Sequence, residues 1–195
     1  SIYWGDKQLA DQALTSANKA YRAWREVPVE ERAKSLEKFA DLMEANRNEL
    51  IAICSLEAGK GLQDGIDEVR EAVDFCRYYA NQARKLMGEP IQLPGPTGED
   101  NELFVEGRGT FICISPWNFP LAIFVGQVAA ALVTGNSVIA KPAEQTGLIA
   151  YRAVQLALEA GIPGNVLHFM PGSGAEVGSF LTSQEDIGGV CFTGS

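Results

Sequence analysis

The sequence predicts an α/β protein in which an amino-terminal layer of helices is followed by a parallel, Rossmann-like sheet. One observation is an uneven distribution of charge. Residues 1–100 hold 13 of the 16 basic and 18 of the 25 acidic groups, whereas residues 101–195 hold 13 of the 20 glycines. The other is a change from helical spacing of apolar residues to short apolar runs that alternate with helix-length segments. We therefore divide the chain into helices with an extended arm, residues 1–106, and the first part of a sheet domain, residues 107–195.

Composition argues against several classes of function. A chain of 195 residues that is 46% hydrophobic can form a domain with a sizeable core. Its formal charge of −9 argues against nucleic acid as a partner, because phosphate binding needs clustered lysine and arginine side chains. No apolar run has the length of a membrane span, and we expect a reducing, cytoplasmic location.

The cysteines and the single histidine offer little basis for metal or nucleophilic chemistry. With His168 as the only histidine and no CxxC pair, a zinc site is hard to assemble, so no metal is expected. His168 lies in the apolar run Val166–Met170, where a partly buried strand histidine is a simpler interpretation than a catalytic one. Of the four widely spaced cysteines, Cys54 and Cys76 are interpreted as packing residues on helices. Cys113 and Cys191 lie within apolar strands, where burial keeps a thiol protonated and inert.

Four amphipathic helices are predicted in the first half. The first follows Asp6, a suitable N-cap, and the second begins near Val29. A third is expected over Asn48–Glu57, with Asn48 as its cap, and a fourth over Leu62–Met87, with Glu68 turned outward. The predicted buried faces carry Leu9, Ala13, Ala17, Ala20, Tyr21, Trp24, Leu36, Phe39, Ala40, Met43, Ile66, Val69, Val73, Phe75, Cys76, Tyr79 and Ala83.

The second half is predicted to alternate strands and helices. Gly88–Asp100, with three prolines and three glycines, predicts an extended, irregular crossing, and Asn101–Glu106 a short strand. The pattern beyond is typical of a parallel sheet with right-handed crossovers. Its predicted strands are Thr110–Ser115, Ser137–Ala140, Val166–Met170 and Gly189–Phe192, and its predicted helices are Leu121–Val133, Leu148–Ala160 and Ala175–Thr182.

Such a sheet commonly binds a dinucleotide at the carboxyl ends of its strands. The GxGxxG fingerprint is not present after the first strand of the unit. The nearest match, Gly172-Ser173-Gly174-Ala175-Glu176-Val177-Gly178, has one residue too many and follows a later strand. The residues alone leave open whether this segment is a phosphate loop or an ordinary strand-to-helix turn.

Lys141 and Glu144 follow the strongly apolar strand Ser137–Ala140, so we expect Lys141 to emerge at the strand's end into a crevice. An ammonium group can donate to one ribose hydroxyl while a carboxylate accepts from the other. Glu144 would also repel a 2′-phosphate, which favours NAD over NADP. The alternative is a solvated local ion pair.

Asn118 stands between Trp117 and Phe119, in a segment held by Pro116 and Pro120 and followed at once by a helix. A side-chain amide held rigidly near a helix N-terminus can donate to a developing oxyanion. The alternative, which the residues alone favour, is an asparagine that caps the helix.

The motifs SPWNFP, KPAE after an apolar strand, PGSGAEVG and FTGS occur in this order and spacing in the aldehyde dehydrogenase superfamily, which the chain resembles over essentially all 195 residues. The stretches DEVREAVDFCRYYANQAR, CISPWNFPLAIFVGQVAAAL and GNSVIAKPAEQT resemble the Δ1-pyrroline-5-carboxylate (glutamate semialdehyde) dehydrogenase module of bifunctional proline utilisation proteins. The resemblance implies oxidation of L-glutamate 5-semialdehyde to L-glutamate in proline catabolism. It also implies NAD bound across the sheet without the glycine fingerprint.

The resemblance assigns roles to individual residues. Asn118 is implied as the side-chain donor of the oxyanion hole and Phe119 as a wall of the aldehyde tunnel. Lys141 and Glu144 are implied to hold the adenosine ribose, and Trp117 to line the nicotinamide side. The full set implied for the cofactor is Ile114, Ser115, Pro116, Trp117, Lys141, Pro142, Ala143, Glu144, Gly174, Gly178, Phe192, Gly194 and Ser195.

The family mechanism also needs a cysteine thiolate that attacks the aldehyde and a glutamate that acts as general base. In the family both lie beyond FTGS, so we expect this chain to be a truncated, inactive amino-terminal portion whose sheet continues past its end. The Gly88–Glu106 stretch resembles the arm that joins subunits, which implies a homodimeric parent protein. Whether the parent is also fused to a proline dehydrogenase domain is left open. Two alternatives remain: another semialdehyde dehydrogenase, such as one for succinate semialdehyde, and a non-catalytic binding or assembly module.

Overall fold

The computed structural model describes residues 2–194, so Ser195, the last predicted cofactor residue, lies outside the described residues. Four helices form the amino-terminal layer: α1 (Lys7–Trp24), α2 (Val29–Ala45), α3 (Arg47–Ala58) and α4 (Leu62–Met87). Asp6 caps α1 as predicted, because its carboxylate accepts a hydrogen bond from the Leu9 amide at 2.8 Å. The cap predicted for α3 is wrong, since Asn46 rather than Asn48 precedes its first turn.

Most residues of the predicted apolar faces are buried, but three positions on the helices differ. Leu9 is 49% exposed and Ile66 is 41% exposed, because each lies beside a narrow buried stripe of small residues rather than within it. Glu68, predicted to face outward, is 1% exposed. The cause is tertiary, because α4 packs against the start of a helix of the sheet half that periodicity along α4 cannot reveal.

The segment after α4 is a small antiparallel hairpin. Its strands are β1 (Ile91–Leu93) and β2 (Asn101–Leu103), with Gln92 opposite Glu102. The first strand was not predicted, and the second is shorter than expected. Three prolines and three glycines had indicated an irregular crossing, but four of these six residues lie in the connection between the strands, where they do not disturb pairing.

The second half forms a four-stranded, fully parallel sheet, and the predicted α/β class is confirmed. Its strand order is β5, β4, β3, β6. The elements are β3 (Thr110–Ile114), α5 (Ala122–Val133), β4 (Ser137–Lys141), α6 (Gly147–Glu159), β5 (Leu167–Phe169), a π-helical turn (Gly174–Gly178), α7 (Ser179–Thr182) and β6 (Gly189–Phe192).

The strand order creates a switch point beside β3. The chain moves outward from β3 to β4 and β5, and then returns to place β6 on the other side of β3. Ligands of open α/β sheets bind outside the carboxyl ends of the strands at such a point. The end of β3, near Ile114, is therefore where the fold predicts a site.

Helices cover both faces of the sheet. On one face α5 and α6 pack against the strands, and α2, α3 and α4 pack against those two helices in the larger apolar core. On the other face α1 and α7 pack over Ile112 and Ile139 in a smaller cluster. Burial on both faces explains why β3 and β4 are almost continuously apolar.

Candidate cofactor and active site

A cleft of about 760 Å³ lies at the carboxyl ends of β3, β4 and β6. Pro142 and Gly178 do not line it, although both were predicted to contact the cofactor. Three residues that were not predicted do line it: Ile123, Gln145 and Thr193. The structure brings together in this cleft the other predicted residues that it describes: Ile114, Ser115, Pro116, Trp117, Asn118, Phe119, Lys141, Ala143, Glu144, Gly174, Phe192 and Gly194.

Asn118 lies exposed in the loop between β3 and α5 and faces this cleft. The backbone N–H groups of Leu121 and Ala122 at the start of α5 donate to Glu68 Oε2, at 3.2 and 2.9 Å. Glu68, and not Asn118, is thus the acceptor at this helix N-terminus. The capping interpretation of Asn118 is not supported, and its amide remains available to a ligand.

Glu68 belongs to a cluster with Lys60 and Phe119 that sequence analysis did not predict. Its Oε1 lies 3.0 Å from Lys60 Nζ, and that ammonium nitrogen lies 4.1 Å from the centroid of the Phe119 ring. One signal was present in the sequence. The helix that begins at Ala122 has no acidic residue in its first turn and Leu121 at its N-cap, so its N–H groups needed an acceptor from elsewhere.

Lys141 ends β4 and is more deeply buried than we expected, at 4% exposed. Its Nζ donates to the Pro142 carbonyl oxygen at 3.3 Å. Burial lowers the pKa of the Lys141 ammonium below its ordinary value, and the nearby Glu144 carboxylate opposes that shift. Lys141 still lines the cleft, because its strand ends at the cleft's edge.

Glu144 is fixed by the backbone of the π-helical turn, since its Oε1 accepts from the Gly174 N–H at 2.9 Å. Among residues 2–194 no ion pair joins it to Lys141, so the local ion pair considered from the sequence is not present. A Cβ at Gly174 would meet no atom within 4 Å, which leaves this backbone accessible from the cleft. A Cβ at Gly178 would instead lie 3.6 Å from Lys141 Cε, so Gly178 packs against the lysine stem.

Gln127 links the end of β3 to the residue that follows β6. Its Nε2 donates to the Ile114 carbonyl oxygen at 3.1 Å and to Thr193 Oγ1 at 3.0 Å. Sequence analysis did not single it out, although it is the one strongly polar residue of an otherwise apolar helix. A polar side chain that is 7% exposed in such a helix indicates a specific partner, here the floor of the cleft.

The cysteines of the described residues are not prepared as nucleophiles. Burial raises the pKa of the Cys54 thiol to about 12, with a smaller contribution from Glu68, and burial also raises the pKa values of Cys76, Cys113 and Cys191. His168 is a half-buried residue of β5, as predicted, and burial lowers its pKa. Among residues 2–194 no group of three or more potential metal ligands is present.

A parallel sheet with a cleft at its switch point is the architecture in which the dinucleotides of dehydrogenases bind. Comparison with known sequences makes the assignment specific. The sequence model described as the aldehyde dehydrogenase family matches residues 1–195, and the chain belongs to that family. The family predicted from the SPWNFP, KPAE, PGSGAEVG and FTGS motifs is confirmed.

Named relatives agree with the predicted branch. The chain is 50% identical over 184 residues to the bifunctional protein PutA of Klebsiella aerogenes, covering 94% of this chain and 13% of that protein. It is 41% identical over 190 residues to 1-pyrroline-5-carboxylate dehydrogenase of Anoxybacillus flavithermus, covering 97% of this chain and 37% of that protein. A crystal structure of 1-pyrroline-5-carboxylate dehydrogenase from Thermus with bound NAD superposes with a TM-score of 0.92 at 38% identity, covering 94% of this chain and 36% of that one. The chain thus spans about an eighth to three eighths of the length of these relatives.

Proposed function

We propose that the chain is the amino-terminal part of an NAD-dependent dehydrogenase that oxidises L-glutamate 5-semialdehyde to L-glutamate in proline catabolism. The observation that carries the proposal is the meeting of Asn118, Lys141 and Glu144 at one cleft of about 760 Å³. The relatives named for 1-pyrroline-5-carboxylate dehydrogenase and the Thermus enzyme with bound NAD support the choice of reaction and cofactor.

Asn118 is proposed to stabilise the negative charge that develops on the aldehyde oxygen. The Asn118 side chain is exposed at the cleft, and the first turn of α5 donates to Glu68 instead of to Asn118. A donor that is already in place when charge develops stabilises the transition state more than the ground state. Phe119, which also lines the cleft, is proposed to form a wall against the aldehyde chain.

The residues of the other side of the cleft fit the adenosine half of NAD. Lys141 supplies a donor and Glu144 a carboxylate held by Gly174, and the open backbone at Gly174 allows close approach of a ligand. NAD would supply the hydride acceptor of the reaction. Trp117, Phe192 and Gly194, which line the cleft nearer β3 and β6, are proposed for the nicotinamide and pyrophosphate.

The thiolate nucleophile and the general base are proposed to come from outside this chain. The four cysteines here have raised pKa values, which keeps the thiol protonated at neutral pH. The partial coverage of each relative agrees with further sequence in the parent protein. We expect the 195-residue chain alone to bind NAD weakly or not at all and to show no turnover.

The hairpin of β1 and β2 is proposed to join two copies of the parent protein. The hairpin and the two residues after it expose apolar side chains that a single chain leaves in contact with water: Ile91, Leu93, Leu103, Phe104 and Val105. Fusion to a proline dehydrogenase domain is proposed from the similarity to the bifunctional PutA proteins.

Four free cysteines suit the proposed cytoplasmic location. No helix of residues 2–194 has both the length and the apolarity needed to cross a membrane.

The test is steady-state oxidation by the full-length parent protein, followed by NADH formation. We expect kcat/KM for L-glutamate 5-semialdehyde to exceed that for succinate semialdehyde by about 10-fold or more, because a site that pairs a substrate's polar groups rejects analogues that lack them. NADP in place of NAD should reduce activity. Equal activity on the two aldehydes would favour a different semialdehyde dehydrogenase, and no activity on either would favour a non-catalytic module.

A further inference from the structure

Glu68 of the helical layer reaches the loop that carries Asn118. Its side chain is 1% exposed, and its Oε2 accepts hydrogen bonds from the backbone N–H groups of Leu121 and Ala122. A carboxylate is also favoured electrostatically at a helix N-terminus. A buried carboxylate is costly unless it has partners. Lys60 supplies one, since its Nζ lies 3.0 Å from Glu68 Oε1.

Lys60 makes a second contact with that loop. Its side chain is 15% exposed, and Nζ lies 4.1 Å from the centroid of the Phe119 ring. An ammonium group over an aromatic face is attracted by the ring's quadrupole. Lys60 itself lies between Gly59, the left-handed cap of α3, and Gly61, the N-cap of α4, so its backbone is held at the junction of two helices.

These contacts hold the residues after Asn118 and leave Asn118 free. Phe119 is held through its ring, and Leu121 and Ala122 through their N–H groups. We propose that Lys60 and Glu68 are positioning residues for the oxyanion donor, which fix the loop so that the Asn118 amide points into the cleft. This inference rests on the proposed function.

A second carboxylate of the helical layer provides a matched comparison. Glu57 Oε1 accepts from the Leu148 N–H at 2.7 Å and its Oε2 from the Ile149 N–H at 2.9 Å, at the start of α6. The chemistry is the same, but the loop before α6 follows Lys141 and carries Glu144 rather than Asn118. Replacing either carboxylate removes a helix cap, but only replacement of Glu68 should affect the loop that carries Asn118.

The experiment compares Glu68→Gln, Glu57→Gln and Glu71→Gln in the full-length dehydrogenase. Glu68→Gln should lower kcat about 10- to 100-fold, because small displacements near the reacting atoms have effects of this size. Its KM for NAD should stay within about twofold of wild type. Glu57→Gln should raise KM for NAD about threefold or more and leave kcat within about threefold, since it removes a cap next to the cofactor side. Glu71 is exposed on the same helix as Glu68, and its variant should match wild type.

Two further variants keep the test independent of folding. Glu68→Asp retains the carboxylate charge but shortens the side chain by one methylene group. The kcat of this variant should therefore lie between those of wild type and Glu68→Gln. The double variant Lys60→Met with Glu68→Gln should lose less kcat than the product of the two single losses, because both changes break one arrangement. Hydrogen exchange of the Leu121 and Ala122 amides should be faster in Glu68→Gln and unchanged in Glu71→Gln.

Two outcomes would contradict the inference. A folded Glu68→Gln protein with the kcat of Glu71→Gln would show that the pair does not position the donor. Equal losses of kcat in Glu68→Gln and Glu57→Gln would show a general effect of lost helix caps. Both outcomes presuppose a wild-type enzyme that oxidises the aldehyde. A wild-type protein without this activity would overturn the proposed function itself and the role of the pair with it.

Discussion

The two halves of the chain use charge in opposite ways. In the helical layer, arginines pair with carboxylates at the surface, as Arg84 does with Glu37 at 2.5 Å and Arg77 with Asp41 at 3.1 Å. In the sheet half, Lys141 and Glu144 make their hydrogen bonds to backbone atoms and line the cleft. The first arrangement fastens helices to one another, and the second holds side chains ready for a ligand.

The helical layer also satisfies both ends of a sheet helix. Glu68 accepts from the first N–H groups of α5. At the other end, Trp24 Nε1 donates to the Leu132 carbonyl oxygen and Arg32 Nε to the Val133 carbonyl oxygen, each at 2.9 Å. The comparison shows that side chains of the helical layer provide the hydrogen-bond partners for the terminal backbone groups of α5. Polar side chains of the sheet half can therefore face the cleft without capping their own helices.

The largest expected effect is on catalysis. Asn118→Ala in the full-length protein should lower kcat about 10²- to 10³-fold, the usual effect of removing an oxyanion donor. Its unfolding temperature should change little, because the side chain is exposed. Asn81→Ala, an exposed asparagine on α4, is the control and should leave kcat unchanged. If Asn118→Ala lost stability instead of kcat, the asparagine would be structural and the contrast between the halves would fail.

The next effect is on stability. Arg32 is 4% exposed and donates to the backbone carbonyl oxygens of Arg25, Val27 and Val133. Arg32→Met should lower the free energy of unfolding by about 2 to 4 kcal/mol, because one buried and two partly buried carbonyl oxygens lose their donor. Denaturant titration of the full-length protein measures this. We expect kcat of the folded variant to stay near wild type, because Arg32 binds the far end of α5. A loss of kcat with normal stability would contradict the division of roles.

Lys141→Met should separate function from stability. Without its ammonium group, affinity for NAD should fall about 10-fold, the loss of roughly one hydrogen bond to a charged group. Stability should not fall, because methionine keeps an unbranched apolar stem in a site that disfavours charge. Equilibrium titration with NAD and thermal unfolding of the full-length protein measure the two quantities. A clear loss of stability would show that the Lys141 charge is structural.

The lowered pKa of Lys141 adds a dependence on pH. Lys141 releases its ammonium proton at a pH lower than the ordinary lysine pKa of 10.5. Affinity for NAD should therefore fall as pH rises through this lowered pKa. The unfolded chain binds the proton more tightly, so between the two pKa values stability should rise with pH. Lys141→Met should lack both trends. An identical pH dependence of NAD affinity in variant and wild type would exclude Lys141 as the titrating group.

The sequence predicted the elements and the site loops better than it predicted their partners. Strand ends carry their own signal, so Asn118 and Glu144 were expected at neighbouring tips, and both line the cleft. Glu68 was placed outward because periodicity along one helix cannot show that another helix begins beside it. The burial of Lys141 depends in the same way on Gly178, a residue distant in the chain. What remained hidden was tertiary contact between segments far apart in sequence.

The smallest expected effect concerns the surface pairs of the helical layer. Arg84 hydrogen-bonds Glu37 through both of its terminal nitrogens, and it also pairs with Glu30. The hydrogen bonds of Arg84 lower the pKa of Glu37 below its ordinary value of 4.5. A lowered carboxyl pKa contributes stability above pH 4.5, and that contribution is lost as pH falls through the lowered value. Arg84→Leu should therefore cost about 1 kcal/mol or less at neutral pH, because the pair is partly solvated.

The pH dependence distinguishes this pair from the buried groups that reach the sheet. The difference in stability between wild type and Arg84→Leu should shrink below the lowered pKa of Glu37 and also in high salt, since exposed pairs are screened. The difference for Arg32→Met should persist under both conditions, because Arg32 is buried and its acceptors are backbone carbonyl groups that do not titrate. Unfolding measured at two pH values and two salt concentrations compares the variants. If Arg84→Leu cost as much as Arg32→Met and resisted salt, surface pairing in the helical layer would matter as much as the buried contacts that support the cleft.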